Sequence, residues 1–246
     1  MSPTTNQVEA FTAPTWNINN IMNSTNFAIT AQSLDKHFIT PSGDTLDILQ
    51  GVDLQVKHGE AVAIVGESGS GKTTLLSLLA GLDQPSAGSI GLLGNSLDGL
   101  DEEDLASLRR KDIGFVFQQF HLVPGMSALE NVRLPLEIAK AANPDQTAKI
   151  ALASVGLADK LDNKPNQLSG GEQQRVAIAR AFATQPKVLF ADEPTGNLDN
   201  KTGALIEDLL FDLRQQHDTT LILITHDATL AERCDRTLTL VNGRFV

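Results

Sequence analysis

Eight residues restrict this chain more than any other feature: Gly66-Glu67-Ser68-Gly69-Ser70-Gly71-Lys72-Thr73. The apolar run Ala61 to Val65 leads into them, and Lys72 to Ala80, with leucines at 75, 76, 78 and 79, leads out before Gly81 stops the helix. A buried strand feeding a glycine loop that opens a helix requires an α/β architecture. Glycine is needed where the main chain must touch a ligand. Successive N–H groups from Gly69 to Thr74 can curl around β- and γ-phosphates, Lys72 adds a point charge there, and the Thr73 hydroxyl reaches Mg²⁺. Alone, the loop says only that a nucleoside triphosphate such as ATP is bound, because unrelated kinases, GTPases and motors share it.

Other residues narrow the chemistry. Val188 to Ala191 is an apolar strand that delivers Asp192 and Glu193 at its carboxyl end, where ligands bind in open α/β sheets. Adjacent strand residues point opposite ways, so Asp192 can face Mg²⁺ while Glu193 polarises the water that attacks the γ-phosphorus. His226 follows the apolar run Leu221 to Ile224 and Thr225, and its place at a strand's carboxyl edge suits contact with the γ-phosphate and that water. Gln118, just beyond the short strand Ile113 to Phe117, can reach Mg²⁺ and leave when nucleotide leaves.

Leu168 to Gln174 read LSGGEQQ. Ser169-Gly170-Gly171 opening a helix offers unencumbered amides and a positive dipole end, a site for an anion that the chain's own phosphate loop does not need. A second subunit's γ-phosphate suits it.

Composition excludes several partners. A net charge of -11 and a pI near 4.8 argue against nucleic acid, whose affinity rests on clustered Lys and Arg, and against anionic lipid. No apolar run approaches the roughly 20 residues needed to cross a bilayer. Cys234 is the only cysteine, so no intramolecular disulfide forms, and its expected role is a small buried hydrophobe. The acidic run Asp101 to Asp104 suits a helix start and needs no metal.

Residues 1–26, rich in Asn and Thr, are expected to be a disordered leader in which Phe11 and Trp16 are isolated aromatics. Residues 27–246 are expected to form one domain. Strands are expected at Phe27 to Thr30, Leu46 to Leu49 and Val52 to Val56, then helical patterns across about 97–168, a helical insertion interrupted by the short strand Ile113 to Phe117. The α/β rhythm returns with helix Lys201 to Gln215, strand Thr220 to Thr225 and helix Asp227 to Arg233, and Asn242-Gly243 signals a closing hairpin.

The ordered set GESGSGKT, Gln118, LSGGEQQ, FADEP, Gly196-Asn197-Leu198-Asp199 and His226 resembles the ATP-binding subunits of ABC transporters over essentially residues 27–246. The wording GFVFQQFHLVPGMSALENVRLPL and ADEPTGNLD is similar to the lipoprotein-release and MacB-like exporter branch. That resemblance implies a P-loop NTPase cassette with a small antiparallel β subdomain. It further implies a head-to-tail homodimer in which Ser169, Gly170, Gly171 and Glu172 of one copy meet the ATP held by the other's loop, with Asn197 to Asp199 at the seam. An integral-membrane permease is the implied partner, docked beside Gln118, which would hold the subunit at the cytoplasmic face of the cell membrane; a hydrophobic or lipid-linked cargo is implied by the branch. The rival is a soluble ABC-type ATPase of DNA repair or translation, disfavoured by the missing coiled coil, second cassette and basic excess. Phe38 occupies the place of the family's adenine-stacking aromatic, usually Tyr; it either stacks on adenine or belongs to the small sheet's core.

Overall fold

The computed structural model describes residues 26–246, so the expectations for the leader, Phe11 and Trp16 included, lie outside the described residues apart from Asn26. In chain order the elements are β1 (Phe27–Ile39), β2 (Thr45–Lys57), β3 (Ala61–Val65), α1 (Lys72–Leu79), β4 (Ala87–Leu92), β5 (Asn95–Ser96), α2 (Glu102–Asp112), β6 (Ile113–Phe117), α3 (Ala128–Ile138), α4 (Pro144–Ser154), α5 (Gly170–Phe182), β7 (Val188–Asp192), α6 (Asn200–His217), β8 (Thr220–Ile224), α7 (Ala228–Glu232), β9 (Arg236–Val241) and β10 (Arg244–Phe245).

They build two sheets. The larger runs β10-β9-β3-β8-β7-β6, and every pairing in it except β9 with β10 is parallel. The smaller, β2-β1-β4-β5, is antiparallel throughout. Strand alternation divides the core between the two faces of the larger sheet. Leu189, Ala191, Leu221 and Leu223 join α3, α4, α5 and α6 on one side. Val188, Phe190, Ile222 and Ile224 join α1 and the small sheet on the other. With both faces covered, the central strands are apolar throughout, as the run Leu221 to Ile224 required.

Two strands show where the structure departs from the expectations. The separate runs Leu46 to Leu49 and Val52 to Val56 are one strand, continued through Gly51 in the left-handed region at φ 62° and bulged against β1. Strand β4 was not expected, because Ala87-Gly88-Ser89-Ile90-Gly91-Leu92 has poor intrinsic β preference. Its glycines let it approach β1: a Cβ on Gly88 would lie 2.4 Å from the Ser33 carbonyl oxygen, and one on Gly91 2.4 Å from Thr30 Oγ1. Strand β6, by contrast, forms at the expected Ile113–Phe117 as the edge strand of the larger sheet, paired with β7, and divides the helical stretch 97–168 in two. The part after β6, α3 and α4, packs on α5.

The closing hairpin forms as its turn residues dictate. Asn242 and Gly243 both take positive φ, 47° and 76°, between the paired residues Val241 and Arg244.

Candidate nucleotide site

Because β3, β6, β7 and β8 are parallel, their carboxyl ends lie along one edge, which brings Gly66, Gln118, Asp192 with Glu193, and His226 together from distant parts of the sequence. The glycine loop is shaped by contacts that forbid side chains. A Cβ on Gly66 would lie 2.2 Å from the Leu240 carbonyl oxygen, and one on Gly71, itself at φ 101°, 2.9 Å from that of Ile48. Gly71 also caps α1 without a side-chain bond, so the first amides of the helix face outward with no competitor. Lys72 Nζ donates to the Gly66 and Glu67 carbonyls, each at 2.8 Å. The ammonium is thus already folded over the loop it would share with a phosphate. Glu67, Ser68 and Gly69 are exposed along the loop, Thr74 lies in the first turn of α1, and Ser70 is buried with its hydroxyl unpaired.

Opposite the loop, Thr73 Oγ1 donates to Asp192 Oδ2 at 3.1 Å. Burial pushes the Asp192 carboxyl above the usual carboxylate range, against the opposing Thr73 bond and Lys72 charge. These two hard oxygen donors side by side, next to a phosphate-binding loop, fit Mg²⁺, which prefers one or two protein oxygens completed by phosphates and water. Among the described residues no group of three or more His, Cys, Asp or Glu is arranged so that it could hold a metal ion. Gln118 is turned elsewhere: its Nε2 donates to Asn197 Oδ1 at 3.2 Å while Asn197 Nδ2 donates back to the Gln118 carbonyl at 2.9 Å. Gly196 lies against the same amide, where a Cβ would approach Nε2 to 2.8 Å.

Glu193 and His226 form a pair, with His226 Nδ1 and Glu193 Oε2 2.5 Å apart. The backbone of Glu193 sits at φ 48°, a costly conformation for a residue with a side chain. Its N–H donates to the Ile224 carbonyl at 3.0 Å, which locks the carboxylate to the strand that carries His226. The histidine side chain is 73% exposed and the glutamate only 20%, so the imidazole faces solvent and the carboxylate lies beneath it.

The LSGGEQQ turn opens α5, whereas the phosphate loop opens α1. Ser169 caps α5: its Oγ accepts from the Glu172 N–H, and Glu172 Oε2 accepts from the Ser169 N–H at 2.8 Å. That backbone bond, ahead of the Ser169 hydroxyl and Lys160, holds the Glu172 carboxyl below its ordinary range despite partial burial. Gly170 is neighboured by Leu198 and Phe120, and Gly171 by Thr202, where a Cβ would lie 2.4 Å from Cγ2. None of these neighbours belongs to Gly66 to Thr74.

Phe38 is 47% exposed in β1, with Lys36 Nζ 4.9 Å from its ring centroid, so it is not a residue of the small sheet's core. Its pairing partner Leu46 lies two residues before Ile48, which abuts Gly71. Adenine stacking needs an exposed aromatic ring, and Phe38 is about half exposed. Cys234, expected to be buried, is only partly so: it packs against the edge of the helical-side core, with its thiol pushed up to about 11 by desolvation.

Two residues around the site had no role assigned from sequence. Gln174 is fully buried and donates to the Pro194 carbonyl. Arg180, whose guanidinium is held below its usual range by burial, donates to the carbonyls of Phe120 and His121, both in the left-handed region just past Gln118. Helical spacing held the signal for the first: Gly171, Gln174, Ile178 and Ala181 share the buried stripe of α5, where a glutamine needs a partner.

Residues 49–196 match the ABC transporter family model. The chain belongs to the ABC transporter ATP-binding family. It is 59% identical over 202 residues to the ABC transporter ATP-binding protein YbbA of Escherichia coli K12, covering 81% of this chain and 89% of that protein. It is 49% identical over 205 residues to the lipoprotein-releasing system ATP-binding protein LolD of Pseudomonas syringae pv. tomato, covering 82% and 90%. The fold is similar to the dimeric post-hydrolysis state of the ATP-binding cassette MJ0796 bound to ADP and Pi, with a TM-score of 0.81 at 39% identity over 88% of this chain and 96% of that one. This ABC cassette therefore binds ATP and is an ATPase, the ATP-binding subunit of a transporter. Among the described residues no helix is long and apolar enough to cross a membrane.

Proposed function

We propose that two copies of this cassette close head to tail on two ATP molecules, drive a separately encoded membrane permease, and thereby export or extract a hydrophobic or lipid-linked cargo from the inner membrane. The observation that carries the reading is that the phosphate loop and the Ser169 turn open different helices, α1 and α5, and that the near neighbours of Gly170 and Gly171 are Leu198, Phe120 and Thr202 and not loop residues. The phosphate loop with Asp192, Glu193 and His226 forms one half-site, while the Ser169-Gly170-Gly171 turn, backed by Leu198 and Thr202, forms another. Dimeric assembly of the MJ0796 cassette supports it. Residues 27–246 act as one ATPase domain, with the helical subdomain expected at about 97–168 carried mainly by α3 and α4.

In each composite site the Gly66 to Thr74 loop cradles the β- and γ-phosphates, and Lys72 exchanges its two carbonyl partners for phosphate oxygens. Thr73 and Asp192 would hold Mg²⁺, which when bound neutralises phosphate charge; Gln118, released from Asn197, would complete the set. Glu193 orients a water and takes its proton as the oxygen attacks the γ-phosphorus. The bond to the bridging oxygen breaks, and ADP departs with the electron pair. His226 holds Glu193 in place and faces the γ-phosphate. From the second copy, Ser169 donates its hydroxyl proton and Gly170 and Gly171 their amides, while Glu172 acts through Ser169 by fixing the turn. Phe38 stacks on adenine. ATP affinity for the closed pair is the stroke and hydrolysis the reset.

The net charge of -11 supports a partner other than nucleic acid, and a permease would hold the subunit on the cytoplasmic face of the membrane. Glu193→Gln tests the catalytic assignment: turnover should fall at least about a hundredfold while ATP binding persists, leaving a nucleotide-trapped dimer on size exclusion. Parental turnover would overturn it. Co-purification from detergent-solubilised membranes tests the partner: a polytopic membrane protein is expected, and an exclusively soluble preparation would favour the permease-free reading.

A further inference from the structure

We propose that Gln174 is a positioning residue that ties the catalytic carboxylate of one ATP site to the phosphate-binding turn serving the other. This rests on the reading above, in which Ser169 to Gly171 serve the partner's nucleotide while Glu193 acts on the chain's own. Gln174 lies one helical turn beyond Gly170 on α5, is 0% exposed, and its Nε2 donates to the Pro194 carbonyl at 2.5 Å. Pro194 follows Glu193 directly. The strained φ of 48° at Glu193 persists only where neighbours over-determine it. On one side Glu193 is held by Ile224 and His226; on the other, through Pro194, by Gln174.

Packing alone does not account for a glutamine there. Its Oε1 is buried with no partner, so the side chain strands an acceptor that Met or Leu of similar volume would not carry. What the amide adds is a bond to the carbonyl of Pro194, the residue that directly follows Glu193. The start of α5 is also in close contact with the segment beyond Pro194, Gly170 on Leu198 and Gly171 on Thr202, with no room for a methyl at the second. A shift of the turn as it engages the partner's γ-phosphate is therefore passed through a donor, an acceptor and one peptide to the general base. Each site would then be tuned by occupancy of the other.

Gln174→Met keeps the volume and removes the donor. The expected result is a fall in kcat of about tenfold, the size of one lost positioning bond, with KM for ATP within about threefold of the parent. The Hill coefficient for ATP should drop from above one in the parent toward one. ATP-dependent dimerisation of Glu193→Gln chains should survive addition of Gln174→Met, a combination that general damage to the fold would not give. A parental kcat and Hill coefficient, or loss of dimerisation along with turnover, would overturn the proposal. Should Gln174→Met fail to fold, Gln174→Glu carries the test. Its neutral carboxylic acid can donate to the Pro194 carbonyl and its carboxylate cannot, so kcat relative to the parent should recover as pH falls, and a flat ratio overturns the proposal. The underlying trans reading fails separately: Glu193→Gln chains that dimerise with ATP equally well after Gly170→Asp would refute it whatever Gln174 does.

Discussion

At the scale of single residues, the site trades stability for chemistry, most clearly at Asp192. Burial raises its carboxyl above the ordinary value of 3.8, so the folded chain holds that proton more tightly than the unfolded one. The stabilisation that this proton binding gives is complete in acid and is lost as pH rises through the raised folded value, which leaves a destabilising carboxylate at neutral pH. Asp192→Asn should therefore raise the melting temperature of the nucleotide-free protein at pH 7 while abolishing the extra thermal shift that Mg²⁺ adds to ATP. A lower melting temperature, or an undiminished Mg²⁺ response, would contradict the assignment. Phe38 gives a cleaner separation because its ring is half exposed. Phe38→Ala should raise KM for ATP several-fold, on the order of 1 kcal/mol of lost stacking, with melting temperature nearly unchanged. A melting temperature drop with KM intact would refute stacking.

At the scale of elements, the two glycines opening α5 should respond oppositely to the same change. Gly170 has its nearest neighbour at 3.4 Å from a built Cβ, an ordinary contact, whereas Gly171 meets Thr202 at 2.4 Å. Gly170→Ala should leave the fold intact by circular dichroism and melting temperature, and Gly171→Ala should destabilise it by about 1–3 kcal/mol, the usual range for overpacking. Equal effects would mean that α5 and α6 are not in register as described. Much of this geometry was legible from the chain alone. The apolar strands, the glycine loop and the carboxylates at the end of β7 followed from periodicity and from the chemistry of phosphate binding. The illegible element is one formed by tertiary contact against local preference: β4, accepted as a strand because its glycines let it lie against Ser33 and Thr30, whereas β6 formed at the expected Ile113 to Phe117 and only its pairing with β7 was hidden. The same limit hid the partner of Gln174, since a buried amide advertises that it needs an acceptor and not which one.

At the scale of the whole molecule, one chain places its phosphate loop and its Ser169 turn on separate supports, so the account requires each hydrolytic site to be shared between two copies. Two defects on different chains then complement each other. Lys72→Ala disables the loop half, and Gly170→Asp, at a position where a Cβ meets only ordinary contacts, sets a carboxylate against the phosphate at the other half. Each variant alone is inactive at both of its sites, but a mixed dimer contains one site built from an intact loop and an intact turn. The most direct test is the ATPase activity of an equimolar mixture of the two variants at saturating Mg-ATP. The account predicts turnover well above the mean of the separate variants, up to roughly a quarter of the parent if half the dimers are mixed and each carries one working site of two. A mixture no more active than that mean would show that each chain completes its own site, and would contradict the account.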